Sequence, residues 1–508
     1  MANGSGTRLH PYRRFAVQGE EYLYAAETGG LFRMDWRMRR SLAALAPQDG
    51  RGRPDAGAAG DVPVLAATDG VPGFPQDVFD DLAKAGILRP DEAPGPDPRN
   101  PPHPPLRLRT LVLMLTTACN LACRYCYEDR EEGCVPPGGL NGRNASLGGT
   151  GAPGPTPAPC ETAPTYMSMK AVRESVAFLL DRCGEGRNVS VVLFGGEPLL
   201  RFPFLRSVVG EARAMASARG KGISFSLTTN GTLITEEIAG FLMENGISVC
   251  VSIDGPPEVH DANRSYASGR GSYGDVVRGI ARLMEKRTGF PLAARVTIGS
   301  GASDVRKTYR HLRDLGFDEV GFAPASAARG SRVALTGEEL DRVLDGFREL
   351  AEEYVEDVRE RRMPAFSNMT QILALIHRGD PMPYPCGAAI GMLAVDTSGV
   401  FHPCHRLCGV GEPIGDPSRG VAAEARTRFL DGARRRRETP CDACWAKNFC
   451  AGGCYHDSYL RQGNLFAPST HYCRWIRELF LLGLRTYVRI QNETPTFPDV
   501  VLGERGIA

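Results

Sequence analysis

Three features are scarce in this sequence of 508 residues, and each absence argues against a class of protein. No apolar run approaches the ~20 residues of a bilayer-spanning helix, and the N-terminal segment MANGSGTRLHPYRRF has no hydrophobic core of the signal-peptide kind. Charge of one sign is also scarce, because 60 basic residues are balanced by 59 acidic ones. A net charge of +1 gives no indication of a dedicated nucleic-acid binder. We therefore expect a cytoplasmic protein with neither a membrane nor a nucleic acid as its partner.

Cysteine, in contrast, is plentiful, and 15 thiols in a reducing compartment favour metal or catalytic roles over disulfides. Cys119, Cys123 and Cys126, which we call the barrel thiols, lie in the run LTTACNLACRYCYED. A 4Fe–4S cube takes four ligands, so three close thiolates without an evident fourth predict a cube with one iron open to a small molecule. A redox C-x-x-C pair would need only Cys123 and Cys126, and a zinc knuckle would need a fourth Cys or His nearby.

Strand-like and helical segments alternate from Leu111 to about Ser326, which predicts an α/β fold. The candidate strands are Leu111–Leu115, Val189–Phe194, Ile223–Leu227, Ile247–Ile253, Ala294–Ile298 and Glu319–Ala323. Amphipathic helices between such strands indicate a parallel sheet, here a partial (β/α)6 barrel with its chemistry at the C-terminal strand ends.

The sequence divides into five predicted segments. They are a small module of strands and helices at 1–93, a proline-rich linker at 94–106, the barrel at 107–335, a helical bridge at 336–385 and a cysteine-dense region at 386–508. A Gly/Pro/Asn-rich insertion at 128–164 interrupts the barrel, and we expect its Cys134 and Cys160 to be plain thiols. The capping box Thr336-x-x-Glu339 predicts the start of a long helix.

A second motif, Phe194-Gly195-Gly196-Glu197-Pro198, follows the second predicted strand. Its glycines would let the backbone approach a ligand closely, and the glutamate could meet an ammonium group. Alone, the motif also fits an ordinary turn between a strand and a helix. Its position one crossover after the barrel thiols makes a functional role more specific.

Together the two motifs resemble those of the radical S-adenosylmethionine (SAM) enzymes. The family signature C-x-x-x-C-x-aromatic-C is matched with Tyr125 as the aromatic residue, and a GGE motif follows. The resemblance implies that the barrel thiols hold a 4Fe–4S cube whose unique iron takes the amino and carboxylate groups of SAM. The implied SAM contacts are Gly195, Gly196 and Glu197 at the amino group, Ser252 at the ribose and Arg295 at the carboxylate. Arg295 could instead pair with a carboxylate of the barrel.

The C-terminal cysteines resemble the seven-cysteine SPASM extension, which holds two auxiliary 4Fe–4S clusters. The resemblance implies an outer cluster on Cys441, Cys444, Cys450 and Cys473, and an inner cluster on Cys386, Cys404 and Cys454. We call these sets the outer thiols and the inner thiols. The inner set is one ligand short, so Cys408 could complete it, or the iron could stay open to a substrate thiolate. A structural zinc ribbon using His402 or His405 is the alternative, although five cysteines at this spacing exceed one zinc site.

The N-terminal module resembles the winged-helix-like peptide-recognition element found ahead of many peptide-modifying SPASM enzymes. The match is carried by Tyr22-Leu23-Tyr24 and by the later run Leu82-Ala83-x-x-Gly86-Ile87-Leu88. Such an element would add the leader segment of a peptide as a strand to an exposed sheet edge. An accessory domain that only packs is the alternative.

These resemblances imply a maturase that abstracts a hydrogen through a 5′-deoxyadenosyl radical and crosslinks a ribosomally made peptide. A Cys thioether is the first expectation, since the core from Met167 to Met284 is most similar to thioether-forming maturases. Carbon–carbon or carbon–oxygen crosslinks, sulfatase formylglycine formation and maturation of an amine dehydrogenase subunit are alternatives. An electron donor of the flavodoxin or ferredoxin type is also implied.

Two other classes are less well supported. A ferredoxin-type carrier needs no GGE motif, and an iron–sulfur transcription regulator needs a basic recognition helix that the near-neutral sequence does not offer. The substrate peptide, the bond formed and the general base are not identified by any spacing rule.

Overall fold

The computed structural model describes residues 7–45, 64–65, 76–90, 103–127, 165–184, 188–287, 289, 291–301, 304–379, 382–436 and 441–497. The predicted insertion at 128–164, with Cys134 and Cys160, lies outside the described residues, as does most of the predicted linker at 94–106.

In its described part, the N-terminal module has two antiparallel three-stranded sheets and two helices. Its elements are β1 (Thr7–Leu9), β2 (Tyr12–Val17), β3 (Glu20–Ala25), β4 (Leu31–Arg33), α1 (Trp36–Leu45), β5 (Val64–Leu65), α2 (Gln76–Lys84) and β6 (Leu88–Pro90). Strand β3 lies between β2 and β4, and β1 lies between β5 and β6. The predicted strands around Tyr22 and the helix near Val78 are therefore present, while the winged-helix assignment stays a prediction.

The period-two alternation of β3 divides its side chains between two cores. Leu23 and Ala25 pack with Leu42 and Leu82 inside the module, whereas Tyr22 and Tyr24 face the main core of the protein. The module is therefore packed on the rest of the chain through one face of its sheet.

The barrel region alternates strands and helices as predicted. The strands are β7 (Thr110–Met114), β8 (Asn188–Phe194), β9 (Gly222–Thr229), β10 (Ser248–Ser252), β11 (Leu292–Ile298) and β12 (Glu319–Pro324). The helices are α3 (Met169–Arg182), α4 (Phe202–Ser217), α5 (Glu236–Glu244), α6 (Pro257–Asn263), α7 (Tyr273–Lys286) and α8 (Val305–Asp314). Neighbouring strands are parallel in the order β12-β11-β10-β9-β8-β7. Each strand lies within two residues of its predicted position.

The cysteine-dense region extends this sheet. Strand β13 (Met392–Val395) pairs in parallel with β7, and β14 (Phe401–His402), β15 (Gly415–Asp416) and β16 (Gly420–Val421) continue the sheet with antiparallel pairs. The described residues thus form a mixed sheet of ten strands. The sequence did not predict these strands, because two to four residues are too few to show a period.

The remaining helices pack around the barrel and the cysteine-dense region. They are α9 (Gly337–Arg359), α10 (Ser367–Arg378), α11 (Ala423–Arg435), α12 (Lys447–Cys450), α13 (Tyr455–Gln462) and α14 (Cys473–Glu493). The predicted capping box is present at the start of α9, where Thr336 and Glu339 exchange hydrogen bonds. Helix α14 packs against α9, α10 and strand β2. Across the described ranges, no helix is both long and apolar enough to cross a membrane.

Candidate active site

The barrel thiols lie on the loop that follows β7, at the C-terminal edge of the sheet. Backbone hydrogen bonds attach this loop to the segment after α6, since Ala122 N donates to Ser265 O at 2.8 Å and Arg124 N donates to Asn263 O at 2.9 Å. Within the loop, Cys126 N donates to Cys123 O at 3.0 Å. These backbone hydrogen bonds give the loop a defined path over the edge of the sheet.

A buried charged network anchors the aromatic residue of the cysteine motif. The Tyr125 hydroxyl donates to Asp254, which is 1% exposed, and Arg264 Nε lies 3.1 Å from Asp254 Oδ2. Asp254 Oδ1 also accepts a hydrogen bond from Thr297 N at 3.0 Å. Burial raises the pKa of Tyr125 well above its usual value. Burial alone would lower the pKa of Arg264, but the Asp254 carboxylate raises it instead.

Asp254 lies at a strand end, where an aspartate also fits an ordinary turn. Its side chain instead joins the cysteine loop to the ends of β10 and β11. The sequence signal for this role of Asp254 was its position as a polar residue just beyond a predicted parallel strand. Arg264, ten residues further on in the sequence, had no local signal.

The two glycines of the GGE motif are required by the cysteine loop itself. A Cβ on Gly195 would lie 2.3 Å from the carbonyl oxygen of Thr116, and one on Gly196 would lie 2.3 Å from that of Ala118. Gly195 also has a φ of 137°, which disfavours other residues. Gly196 N donates to Thr116 O at 2.9 Å. The close approach that we expected toward a ligand is therefore made first toward the backbone of the loop.

Glu197 is fully buried behind this turn. Its carboxylate accepts hydrogen bonds from Leu199 N at 3.0 Å, Thr229 Oγ1 at 2.8 Å and Asn230 N at 2.7 Å. Burial raises the pKa of Glu197 to about 7, against the effect of these hydrogen bonds. Gly195 and Gly196 line the cavity described below but Glu197 does not, so its contact with SAM stays a prediction.

Asn230 extends this connection to the cysteine loop. Its Nδ2 donates to Asn120 Oδ1 at 2.8 Å and lies 4.0 Å from Cys119 Sγ. Because Asn230 N also donates to Glu197, the end of β9, the GGE turn and the cysteine loop form one hydrogen-bonded unit.

The two further SAM contacts implied by the resemblance lie side by side. Ser252 and Arg295 are paired in register on β10 and β11, and both line the cavity. Burial lowers the pKa of Arg295, and the positive charge of Arg406 lowers it further. Negative charge on Cys250 would raise it. No ion pair with a carboxylate is found for Arg295 in the part of the chain that the structure describes. The alternative in which Arg295 pairs with a carboxylate of the barrel therefore has no support there.

The inner thiols lie near one another. Burial raises the pKa of Cys404 to about 12, and negative charge on Cys386 and Cys454 adds to the effect. Burial also raises the pKa of Cys386, again with a contribution from Cys454. Thiols with a raised pKa ionise when a metal that prefers sulfur compensates the charge.

The outer thiols form a second group. Burial raises the pKa of Cys450 to about 12, and charge on Cys441, Cys473 and Cys444 adds to it. The structure thus brings together the two sets that the resemblance implies. Their donors are sulfur throughout, which suits iron–sulfur clusters. The assignment of individual ligands stays a prediction.

Cys408 and the histidines considered as ligands lie beside the inner group. The Cys408 thiol is 4.0 Å from Cys404 O and packs on an apolar patch that includes Val112, so its role as a ligand remains open. His402 pairs with Asp396 at 3.0 Å, and burial lowers the pKa of His405 to about 4. Within the described ranges, no three His, Cys, Asp or Glu side chains are close enough to share a single metal ion.

One cavity of about 1210 Å³ joins the barrel to the cysteine-dense region. Its lining includes the barrel thiols on one side and, on the other, Cys441, Cys450, Cys454 and Cys473. Arg406, which the sequence analysis did not single out, also lines it and donates to Ser326 Oγ at 2.7 Å. Ligand pockets usually measure ~300–1,000 Å³, so the space exceeds what one cofactor needs.

Comparisons with known proteins agree with this geometry. Residues 113–304 match the family model of the Radical SAM superfamily. The chain is 23% identical over 366 residues to the serine-type anaerobic sulfatase-maturating enzyme of Klebsiella aerogenes, which covers 70% of this chain and 81% of that protein. It is 28% identical over 219 residues to the cysteine-type enzyme of Clostridium perfringens (strain 13 / Type A), which covers 43% of this chain and 51% of that protein.

The fold is similar to the solved structure of native anSMEcpe with bound AdoMet. The TM-score is 0.60 at 20% sequence identity, and the match covers 75% of this chain and 99% of that one. A second structure of that protein carries AdoMet and the Kp18Cys peptide, with the same TM-score of 0.60. The chain is therefore an enzyme with a radical SAM domain at residues 113–304. Over a larger part of its length it resembles sulfatase-maturating enzymes.

Proposed function

We propose that the protein is a peptide maturase that installs a crosslink, most of all a Cys thioether, in a ribosomally made peptide. The observation that carries the proposal is the single cavity, which is lined by thiols at both ends. A substrate held between two such ends could lose a hydrogen at one and give up an electron at the other. A carrier of electrons alone would need no space of this size.

At the barrel end, the barrel thiols would hold the cluster that binds SAM. Gly195, Gly196, Ser252 and Arg295 all line the cavity around that point. When bound, the cluster and SAM supply a carbon radical that removes a substrate hydrogen atom. The parallel strand ends place the surrounding side chains, and the reacting carbon would have to be aligned there and shielded from water.

At the other end, the outer and inner thiols would hold two auxiliary 4Fe–4S clusters. Closing a thioether removes two hydrogens from the substrate: one as a hydrogen atom from carbon, and one as a proton from the thiol. One electron must also leave as the carbon–sulfur bond forms, and an auxiliary cluster would accept it. A flavodoxin or ferredoxin would supply the electron that starts each cycle.

Recognition of the peptide would fall to the N-terminal module. Strand β4 pairs with β3 and, within the described residues, with no other strand. Its outer edge can therefore accept an added strand from a leader segment.

Anaerobic reconstitution with iron, sulfide, SAM and dithionite tests the enzyme class. We expect 5′-deoxyadenosine from the wild-type chain and only background from the Cys126→Ala variant, because that variant lacks one barrel thiol. Equal amounts from both proteins would contradict the assignment. Loss of two hydrogens from a co-expressed peptide, with a thiol that no longer reacts with iodoacetamide, would support a thioether.

Sulfatase-type maturation is the second candidate, favoured by the similarity to the Klebsiella aerogenes and Clostridium perfringens enzymes. Incubation with a sulfatase peptide that contains Cys or Ser at the modified position separates the two. A product that forms a hydrazone contains an aldehyde and supports formylglycine formation. A product without an aldehyde but with a blocked thiol supports the crosslink.

A further inference from the structure

The loop between Cys444 and Cys450 forms, together with α14, the surface on which the N-terminal module packs. The Trp445 ring stacks on Phe480 of α14 with 5.7 Å between ring centroids, and Phe449 stacks on Phe480 at 4.5 Å. Tyr24 of β3 meets Phe480 edge-on at 5.2 Å. One aromatic cluster therefore joins the module, the loop and α14.

Polar contacts at the same place are buried. The Lys447 ammonium pairs with the carboxylate of Glu27, and their side chains are only 5% and 10% exposed. Asn448 donates to Ala26 O in the segment after β3. Burial would raise the pKa of Glu27, but the hydrogen bond from His10 and the charge of Lys447 lower it to about 2. A buried pair of this kind makes docking depend on the position of each partner.

Local backbone hydrogen bonds shape this loop, among them Lys447 N to Cys444 O at 3.1 Å, but its helix is short. Helix α12 has only four residues, fewer than an isolated helix needs. Ala451, directly after it, has a φ of 44°, a left-handed conformation that costs energy for a residue other than glycine. Part of the docking surface lies between Cys444 and Cys450, and part lies on α14, which begins at Cys473. Metal bonds to these outer thiols would therefore fix both parts of the docking surface.

We propose that filling the outer thiols with their cluster and docking of the N-terminal module are linked equilibria. The inference rests on the proposed function, since it takes the outer thiols as cluster ligands. The outer cluster would then act as the support that holds the peptide-recognition module against the catalytic part. By reciprocity, undocking of the module would weaken the outer cluster.

Hydrogen exchange on the full-length, anaerobically reconstituted protein tests this linkage. Iron content and exchange of residues 12–33 are measured for the wild type, for Cys450→Ala at the outer site and for Cys386→Ala at the inner site. We expect both variants to lose iron, but only Cys450→Ala to accelerate exchange in 12–33, by about tenfold or more. The inner variant is a matched control, because the described residues show no contact of this kind between the inner thiols and the module.

A converse variant starts from the module. Glu27→Gln removes the charge that meets Lys447 and should accelerate exchange of 12–33; by reciprocity it should also speed the loss of outer-site iron to a chelator. Glu20→Gln is its control, since Glu20 pairs with the exposed Arg33, and it should leave both the exchange and the iron loss unchanged.

The outcomes separate the two proposals. Iron loss in Cys450→Ala without faster exchange of 12–33 would overturn the linkage. The proposal that the outer thiols hold a cluster would still stand. Equal acceleration in both cysteine variants would also overturn it, as general destabilisation. Unchanged iron in Cys450→Ala would instead refute the outer cluster itself, and the linkage with it.

Discussion

The barrel thiols and the C-terminal thiols are held in different ways. The barrel loop is fixed by groups far apart in the sequence, among them Tyr125, Asp254 and Asn230, on the edge of a large parallel sheet. Of the outer thiols, Cys441 and Cys444 lie outside regular helices, Cys450 ends the four-residue helix α12, and Cys473 begins α14. The first site is therefore shaped by the protein, and the second depends more on the metal that its thiols would bind.

Arg436 illustrates the second kind of site. It is 1% exposed and donates to Gly453 O at 2.9 Å and Gly452 O at 2.7 Å. Burial lowers its pKa, and negative charge on Cys450, Cys454 and Cys441 opposes this. A buried cation with carbonyl partners needs a nearby negative charge, which clusters on ionised thiols would supply.

Removal of the metal should give the largest difference between the two regions. Binding of a structural metal can contribute ~10 kcal/mol or more to the folding of a small domain. Chelation under anaerobic conditions should therefore expose residues 441–493 to hydrogen exchange while strands β8 and β9 stay protected. Equal loss of protection in both regions would show that the barrel depends on metal as much as the cysteine-dense region does.

Asp254→Asn should damage the barrel site specifically. The variant leaves the Arg264 charge buried without its partner, which costs ~3–5 kcal/mol of unfolding free energy. We expect a lower midpoint in denaturant and loss of barrel iron, with the auxiliary-cluster signals retained in electron paramagnetic resonance. Glu211→Gln, at an exposed ion pair with Arg173, is the control and should change neither.

The buried carboxyl of Glu197 predicts a pH dependence of the barrel. Its pKa of about 7 in the folded state exceeds the ordinary value of ~4.3, so the folded protein binds more protons between these values. The unfolding free energy should therefore fall by about 3 kcal/mol as the pH rises from ~4.3 to ~7. In Glu197→Gln this part of the slope should vanish; an unchanged slope would assign it to other groups.

Gly196→Ala should have the smallest effect. The added Cβ would lie 2.3 Å from Ala118 O, and such overpacking costs ~1–3 kcal/mol. Gly210→Ala is the matched control, because that position within α4 has no heavy atom within 4 Å, and alanine should stabilise it by ~0.5–1 kcal/mol. Thermal unfolding of both variants checks the contrast. A similar loss in both would contradict the close approach at Gly196.

The features of the protein that could be predicted from sequence are local ones, and those that could not be predicted join residues far apart in the sequence. The six barrel strands were predictable because each has five to eight residues in which apolar side chains are continuous or alternate, and the GGE and cysteine motifs are local. The contacts from Tyr125 through Asp254 to Arg264 were not predictable, because Tyr125 and Asp254 are 129 residues apart and Arg264 has no local signal. The docking of Trp445 and Lys447 on the module was missed for the same reason.

The parallel pairing of β13 with β7 has a consequence for the newly made chain. Met392 follows Met114 by 278 positions, and ribosomes add ~5–20 residues per second. One edge of β7 therefore stays unpaired for roughly 15–60 s, because β13 has not yet been synthesised. An open strand edge pairs readily with other chains, so slow translation or C-terminal truncation should favour aggregation of the barrel.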